Sequence, residues 1–469
     1  MSRALTSSLA VIVTAALLAG CATPPPQALK PGDVPQTFDG PKASEGPQGP
    51  APGKDWWRGF GDTELMGLLD EAQANNRDLA VAAARLDEVR SGVSVARSAL
   101  LPQVQGQAGL VKDGCSGQAC NSYGDIHAYT LGLAATYDLD LRGLTGARVR
   151  SAKAQVAAQD RSRQWMALSV AANAADQYFE VLAIRQRLAI SRENITAIDG
   201  LMDVVALRVK AGTASHLDLA REQAQLEAVE AQLPDLETAE RTAQIRLAIL
   251  LGRPPEGFSV KAQSLDGLTV PTVSPGVPSS LLRRRPDLLM AEAAIAAAHG
   301  QVDAARAAFL PDISLTAQGG GVSTGLGGLL NGANAGYGLG LGLAQSLFTG
   351  GNLAGQKRLA AATQSEAVAA YQGAVLGALA DVETALVTVA HTGEAQAHLD
   401  REVASAREAF EITQLQYRNG ATDLLNVLQA QQTLFSAEDQ LVQVREARCE
   451  AVVALYHALG GGWEAPPSS

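Results

Sequence analysis

The chain has 469 residues, enough for two or three ordinary domains. Its net charge of −11 argues against nucleic acid as a partner, and its mean hydropathy of +0.04 argues against a protein with many membrane-spanning helices. Aromatic residues make up only 4% of the chain, while Ala, Leu, Gln, Glu and Arg fill long segments. This composition favours long helices that pack through small side chains.

The first 20 residues have the pattern of a secretory signal peptide. Arg3 supplies a positive charge, and the apolar run over residues 9–18 is too short to span a bilayer as a helix. The run ends in LAGC, with the cysteine at position 21, and this resembles the bacterial lipobox, whose cysteine is acylated and becomes the mature N-terminus. The alternative is an ordinary signal peptide followed by an incidental cysteine. Ala22, where an inner-membrane lipoprotein of enteric bacteria would have Asp, suggests the outer membrane.

Two further cysteines, Cys115 and Cys120, share the Gly/Ser-rich loop KDGCSGQACNSYGD. In an exported protein this arrangement predicts a disulfide. The spacing is also compatible with a metal site, but neither a histidine nor a second cysteine pair supports one, so we expect no metal. Cys449 lies in a helical stretch and is predicted to be a buried small hydrophobe.

The body of the chain repeats itself. KAGTASHLDLAREQAQLEAVEAQL at 210–233 matches RNGATDLLNVLQAQQTLFSAEDQL at 418–441, and YTLGLAATYDLD at 129–140 matches YGLGLGLAQSLF at 337–348. Both pairs are offset by 208 residues. Two further segment pairs have an offset of 208 or 209, which indicates an internal duplication.

The duplication predicts the domain boundaries. They are a signal peptide at 1–20, a Pro/Gly-rich lipidated tether at 21–55, a first repeat at 56–252, a connector at 253–280, a second repeat at 281–460 and a C-terminal tail at 461–469.

Each repeat has the same predicted order of elements. The first has a helix at about 63–98, strands at about 102–111 and 129–141, and long helices at about 146–211 and 215–251. The second has a helix at about 286–308, strands at about 311–320 and 336–348, and long helices at about 354–418 and 423–459. A helix of sixty-odd residues is roughly 95 Å long. It must therefore pack sideways on other helices.

The four strands all alternate between apolar and small or polar residues. In 129–141 the odd positions carry Tyr, Leu or Ala, and the even positions carry Thr, Gly, Ala or Asp. The strands have the length that a tilted strand needs to cross a bilayer. We interpret the apolar face as lipid-facing and the polar face as pore-lining; the alternative is a sheet whose leucines face a soluble core. Four strands cannot close a barrel, so two copies would give eight strands and three would give twelve.

Several motifs together resemble the outer-membrane efflux factors of the TolC and OprM kind, and more specifically the NodT-type lipoproteins that serve resistance-nodulation-division (RND) pumps. The resemblance covers essentially the whole mature chain. Besides the lipobox and two Gly-centred turns, it rests on DWWRGFGDTELMGLLDEA at 55–72, YDLDLRG at 137–143, RRPDLLMAEAAIAAA at 284–298 and ARAAFLPDISL at 305–315.

The resemblance implies a mainly α-helical protomer with a membrane β-barrel. Three protomers, each with four strands and long helices, would form a 12-stranded barrel in the outer membrane of a Gram-negative bacterium and an α-helical tunnel in the periplasm. It also implies partners: a periplasmic adaptor, or membrane fusion protein, that docks at the tunnel mouth, and an inner-membrane RND-type pump.

The resemblance places the closed tunnel mouth at the two turns. Asp218 and Tyr417 match positions that hold neighbouring helices together, and an Asp and a Tyr can share a charge-assisted hydrogen bond. A constricting ring is expected from Leu425, Asn426 and Gln429, which share one face of the helix after the second turn. The alternative is that the two amides are simply solvated helix positions.

The turns themselves are expected to contact the adaptor, through Gly212, Thr213, Gly420, Ala421 and Thr422. The glycines also suit the left-handed conformation of a tight turn between helices. TolC-like members carry acidic residues at the two amide positions and Arg at position 422, so this chain is not expected to have an acidic cation-binding ring or an arginine lock. A leucine ring could still close the mouth by dewetting.

The sequence contains no phosphate-binding glycine loop and no catalytic cluster, so we expect no enzyme activity. The only non-protein group expected is covalent lipid on Cys21, a diacylglycerol and an N-acyl chain. The predicted function is a passive outer-membrane duct for small molecules, such as drugs, toxic compounds or metals. The alternatives are the exit duct of an ATP-driven type I protein or peptide secretion system, and a poreless envelope tether, which would not explain four amphipathic strands.

Overall fold

The computed structural model describes residues 34–39, 53, 55–113 and 126–461. The predictions for the signal peptide, for Cys21 and for the Cys115–Cys120 disulfide lie outside the described residues. So do most of the tether and all but the first residue of the tail.

The described chain is mainly helical and has four strands. In chain order the elements are α1 (Thr63–Asn75), α2 (Arg77–Ser98), β1 (Gln103–Asp113), β2 (Ile126–Leu139), α3 (Leu144–Lys210), α4 (His216–Glu230), α5 (Leu233–Leu250), α6 (Leu281–Arg284), α7 (Pro286–Ala307), β3 (Asp312–Ser323), β4 (Ala335–Ala344), α8 (Asn352–Arg418) and α9 (Leu424–Ala458). Helices α3 and α8 have 67 residues each. The predicted fold class is confirmed.

The chain divides into two compact units. Among the described residues, the strand unit comprises 84–113, 126–160 and 290–372. The helical unit comprises 34–39, 53, 55–83, 161–289 and 373–461. Both long helices contribute residues to each unit.

The strand unit is built on one antiparallel sheet with the strand order β1-β2-β3-β4. Gln103 pairs with Thr136, Leu139 with Ile313, and Asp312 with Ala344. The four strand ends that join helices therefore all lie at one end of the sheet. At this end the Arg142 guanidinium lies 3.0 Å from the Asp312 carboxylate.

Several predicted strand boundaries are wrong. The third strand ends at Ser323 rather than 320, because Ser323 still pairs with Tyr129 of β2. The fourth strand ends at Ala344 rather than 348, because its partner β3 begins at Asp312 and offers no residue beyond that pair. The side chain of Gln345 instead donates to the Phe309 carbonyl at 3.1 Å. The second strand covers Ile126–Leu139 rather than 129–141, since β1 continues to Asp113 and pairs there with Ile126.

The helical unit has an apolar core formed by α1, α3, α5, α9 and the connector. Trp56 stacks on Tyr456 at a centroid distance of 5.0 Å, and Phe60 packs on Phe179 at 5.1 Å. The hydroxyl of buried Tyr178 donates to Asp62 at 2.6 Å. Trp56 and Phe60, just before α1, thus pack the beginning of the first repeat against α9 and α3.

The predicted single helix over 215–251 is wrong, because the structure has two helices, α4 and α5. Pro234 lies in the first turn of α5, and it has no N–H to donate to Glu230. Its ring also excludes a straight helix through this point. The chain continues as two helices separated by Ala231 and Gln232.

The predicted single helix over 63–98 is also two helices, α1 and α2. Buried Asn76 separates them, and its side-chain oxygen accepts from the N–H groups of Asp78 and Leu79 at 2.9 and 3.1 Å. Its amide donates to the Leu250 carbonyl at 2.9 Å. Asn76 therefore caps α2 and binds α5, and this cap interrupts a run that reads as one helix.

The guanidinium of Arg285 ties together the start of α7 and the helices around it. The side chain is 3% exposed and donates to both oxygens of Asp287, at 3.1 and 2.8 Å, and to Asp381 at 2.9 Å. It also donates to the carbonyl of Ala458 at 3.1 Å. The guanidinium lies 5.0 Å from the centre of the Trp165 ring. One buried cation thus connects α3, α7, α8 and α9.

Candidate channel wall and mouth

The register of the sheet places all four apolar strand faces on one side. Paired residues share a face, and two cross-strand rows on this side are Val104, Ala135, Ala317, Leu339 and Tyr137, Leu315, Leu341. Two rows on the opposite side are Gln103, Thr136, Thr316, Gly340 and Gln105, Ala134, Gln318, Gly338. The sheet therefore has a continuous leucine face and a continuous polar face.

The leucine face is uncovered in the strand unit. Leu339, for example, is 80% exposed, and Leu133, Leu341 and Leu343 are also exposed. Soluble monomers rarely carry so large a contiguous apolar surface. Strands β1 and β4 form the two edges of the described sheet. An exposed apolar face suits lipid, and the opposite Gln/Thr/Gly face suits water.

The two predicted turns have the same hydrogen-bonded geometry. Gly212 and Gly420 have φ of 73° and 76°. The N–H after each glycine donates five residues back, from Thr213 to the Arg208 carbonyl at 2.9 Å and from Ala421 to the Gln416 carbonyl at 2.8 Å. This 6→1 bond closes the helix end, and the positive φ explains why glycine occupies both positions.

Asp218 belongs to a capping box at the start of α4. Its carboxylate accepts from the backbone N–H and the hydroxyl of Ser215, at 3.0 and 2.8 Å, and the Ser215 hydroxyl accepts from the Asp218 N–H. The hydrogen bonds from Ser215 lower the pKa of Asp218. The carboxylate is therefore engaged within its own helix.

The predicted hydrogen bond between Asp218 and Tyr417 is absent from the chain. Tyr417 is buried against Leu201, Val205 and other apolar residues of the hairpin ends, and the Arg208 guanidinium lies 4.5 Å from its ring centre. The Tyr417 hydroxyl has no hydrogen-bond partner among the described residues. Tyr417 thus packs the end of α8 onto α3, while Asp218 caps α4.

The three residues predicted to form the constricting ring all point away from the packed side of α9. Leu425, Asn426 and Gln429 are exposed, whereas Leu424 and Val427 are buried. Four of the five predicted adaptor-contact residues are exposed: Gly212, Thr213, Gly420 and Ala421. The fifth, Thr422, is half-buried. The Asn426 side chain donates to the Thr422 hydroxyl at 2.9 Å.

Glu222 is a buried carboxyl near the mouth that the sequence analysis missed. It is 0% exposed, and neither of its side-chain oxygens has a hydrogen-bond partner among the described residues. Burial raises its pKa to about 7. The helical spacing offers a signal, because Glu222 lies in line with Leu219, Leu226 and Val229 on the inner side of α4.

Two pairs of carboxyl residues lie between α3 and α9, and each pair has one residue on each helix. Arg187 contacts Asp439 at 2.6 Å, and Ser169 is hydrogen-bonded to His457 at 3.0 Å. The two contacts are 18 residues apart on each antiparallel helix. This register sets Asp176 opposite Glu450 and Glu180 opposite Glu446.

Burial and the repulsion of neighbouring carboxylates raise the pKa values of Asp176, Glu446 and Glu450. Burial, and then Glu450, raise the pKa of Asp176 to about 7. Burial, and then Glu450 and Glu180, raise that of Glu446 to about 8, against a smaller opposite effect of Arg187. Among the described residues no group of His, Cys, Asp and Glu could hold a metal ion. The two pairs form what we call the carboxyl seam, and the raised pKa values of Asp176 and Glu446 mean that it binds protons near neutral pH.

We expect the protein to become more stable as the pH falls from about 8 towards 5. The folded-state pKa values lie above the ordinary values, so the folded chain binds more protons in this window and its free energy of unfolding falls as pH rises. The slope is about 1.4 kcal/mol per pH unit for each proton so bound. Denaturation of the solubilised protein across this pH range, followed by far-UV circular dichroism, measures it.

The variant E446Q/E450Q should have a flatter pH profile than the wild type. The matched control is E402Q/E408Q, which removes two exposed carboxylates from α8. Equal profiles for the two double variants would show that the seam does not titrate as the geometry indicates.

The long helical hairpins, the two-faced sheet and the paired turns define a protomer of an outer-membrane channel. The chain matches the family described as outer membrane efflux protein over residues 68–253 and 277–461. It belongs to this family and is an outer-membrane component of an efflux system, with a helical periplasmic extension. The resemblance stated from the sequence is confirmed.

Named relatives and solved structures agree with this assignment. The chain is 35% identical over 426 residues to the pyoverdine export outer membrane protein OpmQ of Pseudomonas aeruginosa, covering 88% of each chain. It is 29% identical to the toluene efflux pump outer membrane protein TtgC of Pseudomonas putida, covering 97% of this chain and 96% of that one. The solved outer-membrane channel OprN has 28% identity and a TM-score of 0.87, covering 94% of this chain and 99% of that one.

Proposed function

We propose that three copies of this chain form one duct that passively conducts small molecules from a periplasmic adaptor and an inner-membrane RND-type pump to the outside. The observation that carries this is the two-faced sheet with two open edges. Open edges cannot lie in lipid, so neighbouring copies must pair with them. Eight strands would make a barrel filled by its own side chains, whereas twelve leave room for the water that the Gln/Thr face requires.

Exposed apolar residues on the long helix α8 also indicate that this helix packs against another protomer. Leu359, Leu376 and Leu415 are exposed on the single chain. By length and composition alone, α8 is the described helix that could span a membrane. It has 67 residues, however, about three times the length that a bilayer needs. We assign its apolar positions to contact with the next protomer of the helical tunnel.

The substrate class is proposed from the relatives. OpmQ is named for pyoverdine export, TtgC for toluene efflux, and CusC for cation efflux. The polar face of this chain is rich in Gln, Thr and Gly, which bind nothing strongly, so selection falls to the pump. The duct itself performs no chemistry in this scheme. We also propose that acylated Cys21 anchors the protomer to the outer membrane, and the type I secretion alternative gains no support from these relatives.

The experiment that tests the assembly is mild crosslinking in intact cells, recovery through a C-terminal tag and mass spectrometry of the bound proteins. Recovery of an adaptor with a proton-driven pump supports small-molecule efflux. Recovery of an adaptor with an ATP-hydrolysing transporter would replace it with secretion. Recovery of neither, with the trimer itself crosslinked, would contradict the tripartite scheme.

The ring at the mouth makes a separate prediction. Leu425→Ser should raise the single-channel conductance of the purified protein in a planar bilayer, because a hydroxyl side chain keeps water in a constriction that leucine dries. Ile249→Ser is the matched control, since Ile249 is also an exposed apolar residue but lies near the end of α5, far from the turn. Unchanged conductance in the Leu425 variant would place the constriction elsewhere.

A further inference from the structure

Basic residues are concentrated where the helices meet the sheet. Within the ten residues nearest the sheet on α2, α3, α7 and α8 there are eight Lys and Arg and one Asp. In the next ten residues along the same helices there are three basic and five acidic residues. The strand ends and connections beside these stretches add Arg142 and three aspartates, Asp138, Asp140 and Asp312, which makes nine basic and four acidic residues. Positive charge is therefore in excess in a belt about 15 Å deep, in a chain whose net charge is −11.

Five of these basic residues form what we call the basic rim: Arg97, Arg148, Lys153, Lys357 and Arg358. All five are exposed. Within the described part of the chain no carboxylate forms an ion pair with any of them, whereas the nearby Arg150 pairs with Asp303 at 3.2 Å. Their charges are thus not neutralised by ion pairs among the described residues.

Exposed apolar residues lie between the rim and the strands. Leu101 and Leu141 flank β1 and β2 and are exposed, and Leu347 and Phe348 follow β4 and are at least 90% exposed. Along three of the four connections, those of β1, β2 and β4, the order is therefore leucine face, large apolar residue, basic residue. This is the order in which side chains meet hydrocarbon, interface and headgroups at a membrane surface.

We propose that the basic rim binds the anionic headgroups of phospholipids in the periplasmic leaflet of the outer membrane. This inference rests on the proposed function, because it requires the leucine face to be in lipid. The helices extend into the periplasm from the end of the sheet that carries the rim, which selects the leaflet. Arg donates two parallel hydrogen bonds to a phosphate, and the long stems of Lys and Arg let their charges reach headgroups from an apolar surface.

The charge pattern favours lipid over a protein occupant. The rim is continuous with the leucine face through the exposed residues beside the strands. An acidic protein would meet the rim only by displacing the lipid that this face requires. Attraction between the rim and an anionic bilayer should weaken as salt screens the charges.

The test uses the full-length protein in two kinds of vesicle, phosphatidylethanolamine mixed with either phosphatidylglycerol or phosphatidylcholine. The wild type should unfold at a higher temperature with phosphatidylglycerol, and the difference should shrink at high salt. A rim variant, R148Q/K153Q/K357Q/R358Q, should lose most of that difference. The control K210Q/R221Q/R401Q/R418Q removes the same charge from exposed positions of the helical unit and should keep it.

A charge-conserving variant, R148K/K153R/K357R/R358K, guards against a folding defect and should also keep the difference. The inference is overturned if the wild type does not distinguish the two lipids, if the rim variant keeps the full difference, or if rim and control variants lose it equally. Failure of the wild type to insert into either vesicle is a different result. It would overturn the proposed function, and this inference with it.

Discussion

Arg285→Met should lower the free energy of unfolding by about 3–5 kcal/mol, because it removes one partner of a buried ion pair. The guanidinium is 3% exposed and is shared by Asp287, Asp381 and the Ala458 carbonyl. Methionine fills similar space but leaves the Asp287 carboxylate, which is largely enclosed, without its cation. Chemical denaturation of the solubilised protein, followed by far-UV circular dichroism, measures the loss.

Two control variants separate the network from a general loss of charge. Arg283→Met changes an exposed arginine two residues away and should shift stability by less than about 0.5 kcal/mol. Arg285→Lys keeps the charge but cannot make the two-pronged contact with Asp287, so it should be intermediate. Equal stability of the variants at 283 and 285 would contradict the central role given to Arg285.

Glu222→Leu should stabilise the protein by about 3 kcal/mol at about pH 8, a change in the direction opposite to most core substitutions. The carboxyl is fully buried without a hydrogen-bond partner among the described residues, and its pKa is raised from 4.5 to about 7. As pH rises through this window the unfolded chain loses the proton first, so the folded chain loses stability. Above about pH 7 the full penalty applies, and near pH 4.5 it vanishes.

The pH dependence distinguishes this effect from simple repacking. Glu222→Gln should match the wild type near pH 5 and exceed it near pH 8, because only the ionised form is penalised. Glu227→Gln changes an exposed glutamate on the same helix and should leave the profile unchanged. A Gln variant at 222 with no advantage at high pH would show that Glu222 is solvated or paired in solution.

The elements that sequence reasoning predicted well are those set by local chemistry. The turns at Gly212 and Gly420 could be predicted because glycine readily adopts the positive φ that both residues have. The strands could be predicted from the two-residue alternation, and only one pairing register places their apolar side chains on the same side of the sheet. The helix breaks at Asn76 and Pro234 also have local signals in the sequence: asparagine is a common N-cap residue, and proline has no N–H to donate. They were missed because the helical spacing of apolar residues continues through both.

The features that escaped prediction depend on residues far apart in the chain. Asp176 and Glu450 meet only because α3 and α9 pack antiparallel in one register, and Arg285 finds Asp381 only when α8 lies beside α7. Asp218 and Tyr417 are held apart within the chain by local contacts. Ser215 donates twice to one carboxylate oxygen of Asp218, and the Tyr417 ring is buried among apolar residues, so their role in holding neighbouring helices together stays a prediction.

The most direct test of the account compares two adjacent residues on opposite sides of β3. Each of Leu315→Cys and Thr316→Cys is placed in the full-length protein, reconstituted in vesicles and treated with a membrane-impermeant maleimide, with the wild type as the control for native cysteines. Thr316 lies on the polar face and should be labelled, whereas Leu315 lies on the leucine face and should be labelled only after denaturation. Labelling of Leu315→Cys alone, or of both variants equally, would contradict a duct whose polar face holds water and whose leucine face meets lipid.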